Sequence, residues 1–137
     1  MQVESQLRIE GTMADGQQIL VVDDDEMVLR YVSATLRRQG YEVLQATSGD
    51  EGLRHFSEHG TGLSMILTDV LMPGLSGPQM IEHILAIEPG MPVTFMTGTA
   101  AEARLPRAQS PAYKLIHKPF TPQKLLDTIR ECIAYGK

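Results

Sequence analysis

A single cysteine, Cys132, stands among 137 residues, so no disulfide framework can form. It falls at the spacing of the apolar face of the last expected helix and reads as a small buried hydrophobe. No apolar run approaches the roughly 18 residues that would suggest a membrane span. Residues 1–18 lack the ordered basic start, apolar stretch and small-residue cleavage site of a signal peptide, and the expected compartment is the cytoplasm. Positive charge is scarce: 12 Lys and Arg face 17 Asp and Glu, a formal net charge of -5. Without a basic run or basic-aromatic interleaving, direct nucleic-acid binding is not expected. Internal repeats and low-complexity tracts are also missing.

What the chain does have is 42% apolar residues at a length suited to one domain with one core. Four short apolar runs each end on a residue suited to phosphoryl chemistry. Asp23 and Asp24 follow Ile19 to Val22, Asp69 follows Met65 to Thr68, Thr97 follows Val93 to Met96, and Lys118 follows Leu115 to His117. If these runs are parallel strands, their carboxyl ends share one edge of one sheet, where open α/β folds bind ligands.

The intervening segments support that reading. Residues 1–17 are polar and without sustained period, and read as a flexible arm before a domain spanning 18–137. Met13 is an alternative start, or the arm is the tail of a linker. Val28, Tyr31, Val32, Thr35 and Leu36 share a helical face that Gly40 ends. After a strand at Glu42 to Ala46, Ser48 and Glu51 have capping-box spacing ahead of a helix carrying Leu53 and Phe56. The Met72-Pro73-Gly74 turn and Pro78, a first-turn proline, lead into a helix with Met80, Ile81, Ile84 and Leu85 inward. Pro89-Gly90 breaks that helix. Thr121-Pro122 starts a last helix with Leu125, Leu126, Ile129 and Ile133 inward. Between the fourth and fifth strands, Pro106 and Pro111 interrupt residues 99–112, so the fourth helix is expected to be short or irregular. Five strands alternating with helices imply a doubly wound α/β fold, a parallel sheet with helices on both faces.

Carboxylates gathered from Asp23, Asp24 and Asp69 repel, each pair costing about 4 kcal/mol at about 4 Å with an effective dielectric near 20. A hard divalent cation such as Mg²⁺, which takes oxygen ligands, would relieve this. No His-Cys arrangement favours zinc there. Beside a cation, a carboxylate such as Asp69 can act as a nucleophile toward a phosphoryl group, and Lys118 and Thr97 can each contact a phosphoryl oxygen.

The blocks Ile-Leu-Val-Val-Asp-Asp-Asp-Glu, Leu-Thr-Asp-Val-Leu-Met-Pro-Gly-Leu-Ser-Gly, Phe-Met-Thr-Gly and His-Lys-Pro-Phe-Thr occur in order over about Gln18 to Lys137. In these the chain resembles the receiver domain of two-component response regulators. The resemblance implies a flavodoxin-like fold with strand order 2-1-3-4-5. It also implies Asp69 as phosphoacceptor, charged from a phosphohistidine on a histidine kinase or histidine phosphotransferase. Asp24 and Asp69 would hold Mg²⁺ directly, with the Leu71 backbone carbonyl as a third ligand and Asp23 acting through water. Thr97 and Lys118 would contact the phosphoryl group, and the Lys118-Pro119 bond is often cis in the family. The implied output is a changed surface around the fourth helix, fifth strand and fifth helix, read by a downstream target or a parent kinase. No free-substrate turnover is implied.

Two features depart from the family pattern. Leu115 takes the usual aromatic position on the fifth strand, with Tyr113 two residues away on the same side, and the fourth helix is broken by prolines. Phe-Met-Thr-Gly with Lys-Pro-Phe-Thr resembles receivers attached to hybrid sensor kinases. Output is expected from a partner or from a parent chain.

A second function fits one motif. Asp23-x-Asp25 after an apolar strand resembles the nucleophile motif of haloacid dehalogenase-type phosphatases, with Asp23 as nucleophile, although neither a cap nor a further acidic motif is present. A third reading is the same fold without chemistry. Asp25 and Glu26 read as first-turn acids favourable to the helix dipole. His55 and His59 stand four apart, a metal-pair spacing, but with no third ligand evident they read as exposed helix residues. His83 and His117 read as ordinary surface or semi-buried residues, and the eight methionines as core filler.

Overall fold

The computed structural model describes residues 16–98 and 113–136. Five strands, β1 (Gln18–Val22), β2 (Glu42–Ala46), β3 (Leu63–Asp69), β4 (Val93–Thr97) and β5 (Tyr113–His117), form one parallel sheet in the order β2-β1-β3-β4-β5. Four helices are described: α1 (Glu26–Arg38), α2 (Gly49–His59), α3 (Gly77–Ile87) and α4 (Pro122–Gly136), with a short 3-10 turn at Gly60–Gly62. The expected α/β class, strand order and two-sided helix packing are all present. Residues 99–112, where a short or irregular helix is expected, lie outside the described residues, as does most of the N-terminal arm. Gly16 and Gln17, placed with that arm by the sequence, pair with the main chain: Gly16 N–H donates to the Gly40 carbonyl and Glu42 N–H to that of Gln17.

Successive side chains of a strand point to opposite faces. Ile19 and Val21 therefore join α1 and α4 in one core with Leu36, Met65, Leu67, Met96 and Leu125. Leu20 and Val22 face the other way and meet Phe56, Ile66, Met80, Ile84 and Phe95 under α2 and α3. A strand covered on both faces needs apolar residues at every position, which is why β1 reads Ile-Leu-Val-Val without alternation. Each such fully buried side chain contributes about 1.5–3 kcal/mol. Cys132 lies wholly inside the first core. In α1 the inward residues include Leu29, while Tyr31, placed by the sequence on the same face as Val32, is exposed at its margin.

Local chemistry sets the helix ends. Asp25 is the N-cap of α1, its carboxylate accepting from the N–H groups of Met27 and Val28, a more specific task than that of a first-turn acid. Gly40, with φ of 97°, follows the C-cap where a left-handed residue is needed. The expected capping box of α2 is only half formed. Ser48 Oγ accepts from Glu51 N–H, but the Glu51 carboxylate accepts from Thr47 N–H one residue earlier. A complete box starts α3 instead, between Ser76 and Gln79.

Gly77, the first residue of α3, lies against the end of β3: its N–H donates to the Val70 carbonyl, and a Cβ there would come 2.1 Å from the Asp69 carbonyl oxygen. Backbone cannot rotate away as a side-chain tip can. Gly77→Ala is therefore expected to destabilise the fold by about 1–3 kcal/mol, the usual cost of overpacking. Chemical denaturation of the two proteins tests this, and equal midpoints would contradict the close approach.

Candidate functional site

Parallel strands bring their carboxyl ends to one edge, and the residues at those ends build the site. Asp23 comes directly after β1, Asp69 ends the adjacent β3, Thr97 ends β4, and Lys118 comes directly after β5. Val22 pairs with Thr68, Asp69 with Met96, and Thr97 with His117, so the register places these residues in a row. Main-chain bonds fix it. Asp23 N–H donates to the Ala46 carbonyl, Val70 N–H to that of Met96, and Lys118 N–H to that of Thr97.

One carboxylate oxygen from each of Asp23, Asp24 and Asp69 lies within 4.8 Å of the others. Their environments differ. Asp23 is fully buried and Asp24 exposed, and the Asp69 side chain keeps 14% of its surface, enough for access from outside. Asp23 Oδ1 accepts from Asp25 N–H at 2.9 Å. The Lys118 ammonium bridges the Asp23 and Asp69 carboxylates, 3.0 Å from Asp23 Oδ2 and 3.2 Å from Asp69 Oδ1.

Burial pushes the Asp23 carboxyl above its ordinary 3.8, assisted by the charge of Asp24 and opposed by the Asp25 N–H and Lys118. Burial likewise raises Asp69, and the charge of Asp23 adds to the rise while Lys118 and the Val70 N–H oppose it. For Lys118, burial disfavours the ammonium, but the hydrogen bonds and charges of Asp23 and Asp69 outweigh it and raise its pKa. The pocket thus has an unmet demand for positive charge that one lysine only partly fulfils. An all-oxygen donor set drawn around a cationic group is the chemistry that suits Mg²⁺.

The remaining site residues are less engaged. Thr97 is buried, and its hydroxyl donates to the Gly98 carbonyl at 2.9 Å. Leu71 sits two residues past Asp69 with its side chain exposed. The Lys118-Pro119 peptide is cis. Beside Lys118, a mostly apolar hollow of about 370 Å³ is lined by Val28, Tyr31, Lys118, Pro119 and Phe120. There the Tyr31 hydroxyl donates to the Phe120 carbonyl at 3.3 Å, with the two rings tilted at 6.2 Å. No sequence signal links these residues, 89 positions apart. Leu115, in register with Phe95, is 38% exposed on the edge strand, and the Tyr113 side chain lies outside what is described.

The family model of the response regulator receiver domain matches residues 19–130. Among curated proteins, the chain is 29% identical over 118 residues to the response regulator receiver protein CpdR of Brucella abortus (strain 2308), covering 85% of this chain and 97% of that one. It is 28% identical over 116 residues to the sensor kinase CckA of the same organism, covering 84% of this chain but only 12% of the kinase. Among solved structures, a response regulator receiver domain protein from Clostridium thermocellum superposes with a TM-score of 0.80 at 34% identity, covering 86% of this chain and 94% of that one. These matches do not favour a haloacid dehalogenase-type phosphatase. The geometry also corrects that reading, since Asp23 is sealed from solvent and held by Asp25 and Lys118, poorly placed as a nucleophile.

A carboxyl whose folded pKa is raised holds its proton more tightly in the folded state, so it destabilises the fold as pH rises from the ordinary value through the folded one. Lys118 acts in the other sense: its contribution is present below its ordinary 10.5 and is lost as pH climbs through its raised folded value. In the absence of divalent cations, Asp69→Asn is therefore expected to melt at a higher temperature than the natural chain at neutral pH. The gap should close as pH falls through 3.8. Thermal melts across pH test this, and a variant less stable at neutral pH would refute the electrostatic account.

Proposed function

The chain belongs to the response regulator receiver family, and from that premise we propose that it accepts a phosphoryl group on Asp69 and uses it to switch a protein-binding surface. The observation carrying this reading is the placement of Asp69 at the end of the central strand, partly open to solvent, with two further carboxylates and a lysine around it.

In the reaction, an Asp69 carboxylate oxygen attacks the phosphorus of a phosphohistidine on a histidine kinase or histidine phosphotransferase. A P–O bond forms, the P–N bond breaks, and the imidazole nitrogen leaves with the electron pair. Asp23, Asp24, Asp69 and the Leu71 carbonyl would hold Mg²⁺, which supplies neutralisation of the carboxylates and of the phosphoryl oxygens. Lys118, already within hydrogen-bond distance of Asp69, pairs with the incoming phosphoryl group. The Thr97 hydroxyl turns from the Gly98 carbonyl to donate to a phosphoryl oxygen. Asp23 orders the site through Lys118 and the Asp25 N–H, without itself becoming phosphorylated.

The product carries about two negative charges where one carboxylate stood, and Lys118 and Thr97 respond to it. Both belong to β4 or the residue after β5, so their displacement reaches the β4-β5 edge, where Leu115 is exposed. Similarity to a receiver protein over nearly its whole length supports a free-standing regulator acting on a downstream target, and similarity to a short segment of a sensor kinase supports a module of a parent kinase. In either setting the proposed domain acts in the cytoplasm, without turnover of a free substrate. No helix among the described residues is long and apolar enough to cross a membrane.

Incubation with Mg²⁺ and a small acyl phosphate, with intact-mass measurement afterwards, is expected to add one labile phosphoryl group, mapped to Asp69. Asp69→Asn should take none while keeping its fold, and chelation of the cation should abolish labelling of the natural chain. Stoichiometric label on the variant would sink the assignment. Lys118→Ala, by contrast, should lose the phosphorylation-dependent spectral change of the β4-β5 edge; a change identical to that of the natural chain would remove Lys118 from the switch.

A further inference from the structure

Helix α2 carries a second group of metal-binding side chains, remote from the acidic pocket. His55 and His59 are neighbours on one helical face, and Glu58 adds a carboxylate to them. One donor atom from each of the three lies within 4.8 Å of the other two. Their reading as ordinary exposed helix residues rests on the lack of a third ligand, and the structure places a candidate third donor, Glu58, beside them. Its Oε1 is 3.9 Å from His59 Nε2, and the two imidazole rings are 6.2 Å apart.

His55 is also held in the form a metal needs. Its Nε2 lies 3.0 Å from the Gln45 carbonyl oxygen on β2. A carbonyl can only accept, so Nε2 carries the proton and Nδ1 keeps its lone pair. That Nδ1 is buried and makes no hydrogen bond to the described residues. An imidazole whose second nitrogen donates to a backbone carbonyl is the arrangement that fixes the tautomer and orientation of a metal-bound histidine. Glu58 and His59 are exposed, which leaves the group open to solvent on their side.

We propose that His55 Nδ1, His59 and Glu58 bind Zn²⁺, with water completing the coordination. Two imidazoles and one carboxylate suit this borderline cation, whereas Mg²⁺ takes oxygen ligands and goes to the aspartates. The two sites stand apart. Helix α2 starts just after β2, at the edge where Asp23 and Asp69 meet, and runs back so that His59 leads through the Gly60–Gly62 turn to the start of β3. With all three ligands in the last two turns of one helix, and His55 tied to β2, bound zinc fastens the end of α2. This site does not depend on phosphorylation of Asp69.

Calorimetric titration of the full chain with Zn²⁺, with excess Mg²⁺ present to fill the acidic pocket, tests the proposal. One equivalent is expected to bind and to raise the melting temperature. His59→Ala and Glu58→Gln, both surface changes verified by circular dichroism, should each weaken binding by about tenfold or more, as losses around metal sites do. Asp69→Asn should bind zinc like the natural chain. The proposal is overturned if no zinc binds under these conditions, if both surface variants bind as the natural chain does, or if Asp69→Asn abolishes the binding.

Discussion

Repulsion between Asp23 and Asp69 is the constraint around which this molecule is organised. β1 and β3 are hydrogen-bonded neighbours, and adjacent strands lie about 4.8 Å apart, so acids that close both strands cannot avoid one another. At such a spacing the repulsion is about 4 kcal/mol with an effective dielectric near 20, a large fraction of the stability of a small domain. The fold accepts this because both strands are anchored by side chains buried on two faces, and because compensation is drawn from elsewhere in the chain. Lys118 comes from the far end of the sequence, and the Asp25 N–H comes from the start of α1. Both carboxyls are still displaced upward, by burial first, with the charge of Asp23 adding to the rise at Asp69 and that of Asp24 to the rise at Asp23. A site left short of positive charge is one that a divalent cation, and then a phosphoryl group with its own lysine contact, can complete.

Much of this is legible in the sequence alone. The apolar runs of β1, β3 and β4 are continuous because those strands are covered on both sides, and such runs stand out from amphipathic helices by length and by the acids, hydroxyl or amine that end them. Parallel topology then leaves the site residues no place but one edge. Contacts that depend on three-dimensional approach are hidden. Tyr31 fits a helical period and yet sits at the margin of its face, where its hydroxyl meets a carbonyl 89 residues away. Glu51 has the spacing to serve Ser48 and serves Thr47, because both amides lie within reach of one flexible carboxylate. The Ser76-Gln79 box is overshadowed by the more conspicuous Pro78. Glu58 is inconspicuous because histidines at helical spacing draw the eye to other histidines and cysteines, and the carboxylate directly before His59 looks like one more solvated acid.

Rigidity and mobility are divided unevenly among the site residues. The Asp69 main chain has little room to move: it is paired with Met96, the next N–H is bonded to the Met96 carbonyl, and the Gly77 backbone lies so close to its carbonyl oxygen that not even a methyl group fits. Asp23 is as firmly held, by the bond from its N–H to the Ala46 carbonyl on β2 and by burial. The partners are different in kind. Lys118 reaches the pocket on a flexible stem and keeps 26% of its side-chain surface exposed. Among the described residues the Thr97 hydroxyl holds only a local bond to the adjacent carbonyl, which a single side-chain rotation releases.

A change of charge at a fixed acceptor must be answered by the groups that can move. In the proposed reaction the acceptor is fixed, and the movable groups are Thr97 on β4, the strand next to β3, and Lys118 after β5, one strand farther out. The response is thereby directed across the sheet toward β4 and β5, and away from β1, whose Asp23 is pinned by the Asp25 N–H as well as by Lys118. When Lys118 turns to a phosphoryl oxygen, Asp23 loses part of its positive partner, and a cation in the pocket becomes the natural replacement. Cation and phosphoryl group are therefore coupled through one ammonium: each makes the other less costly, because the lysine cannot satisfy Asp23, Asp69 and a phosphoryl group at once.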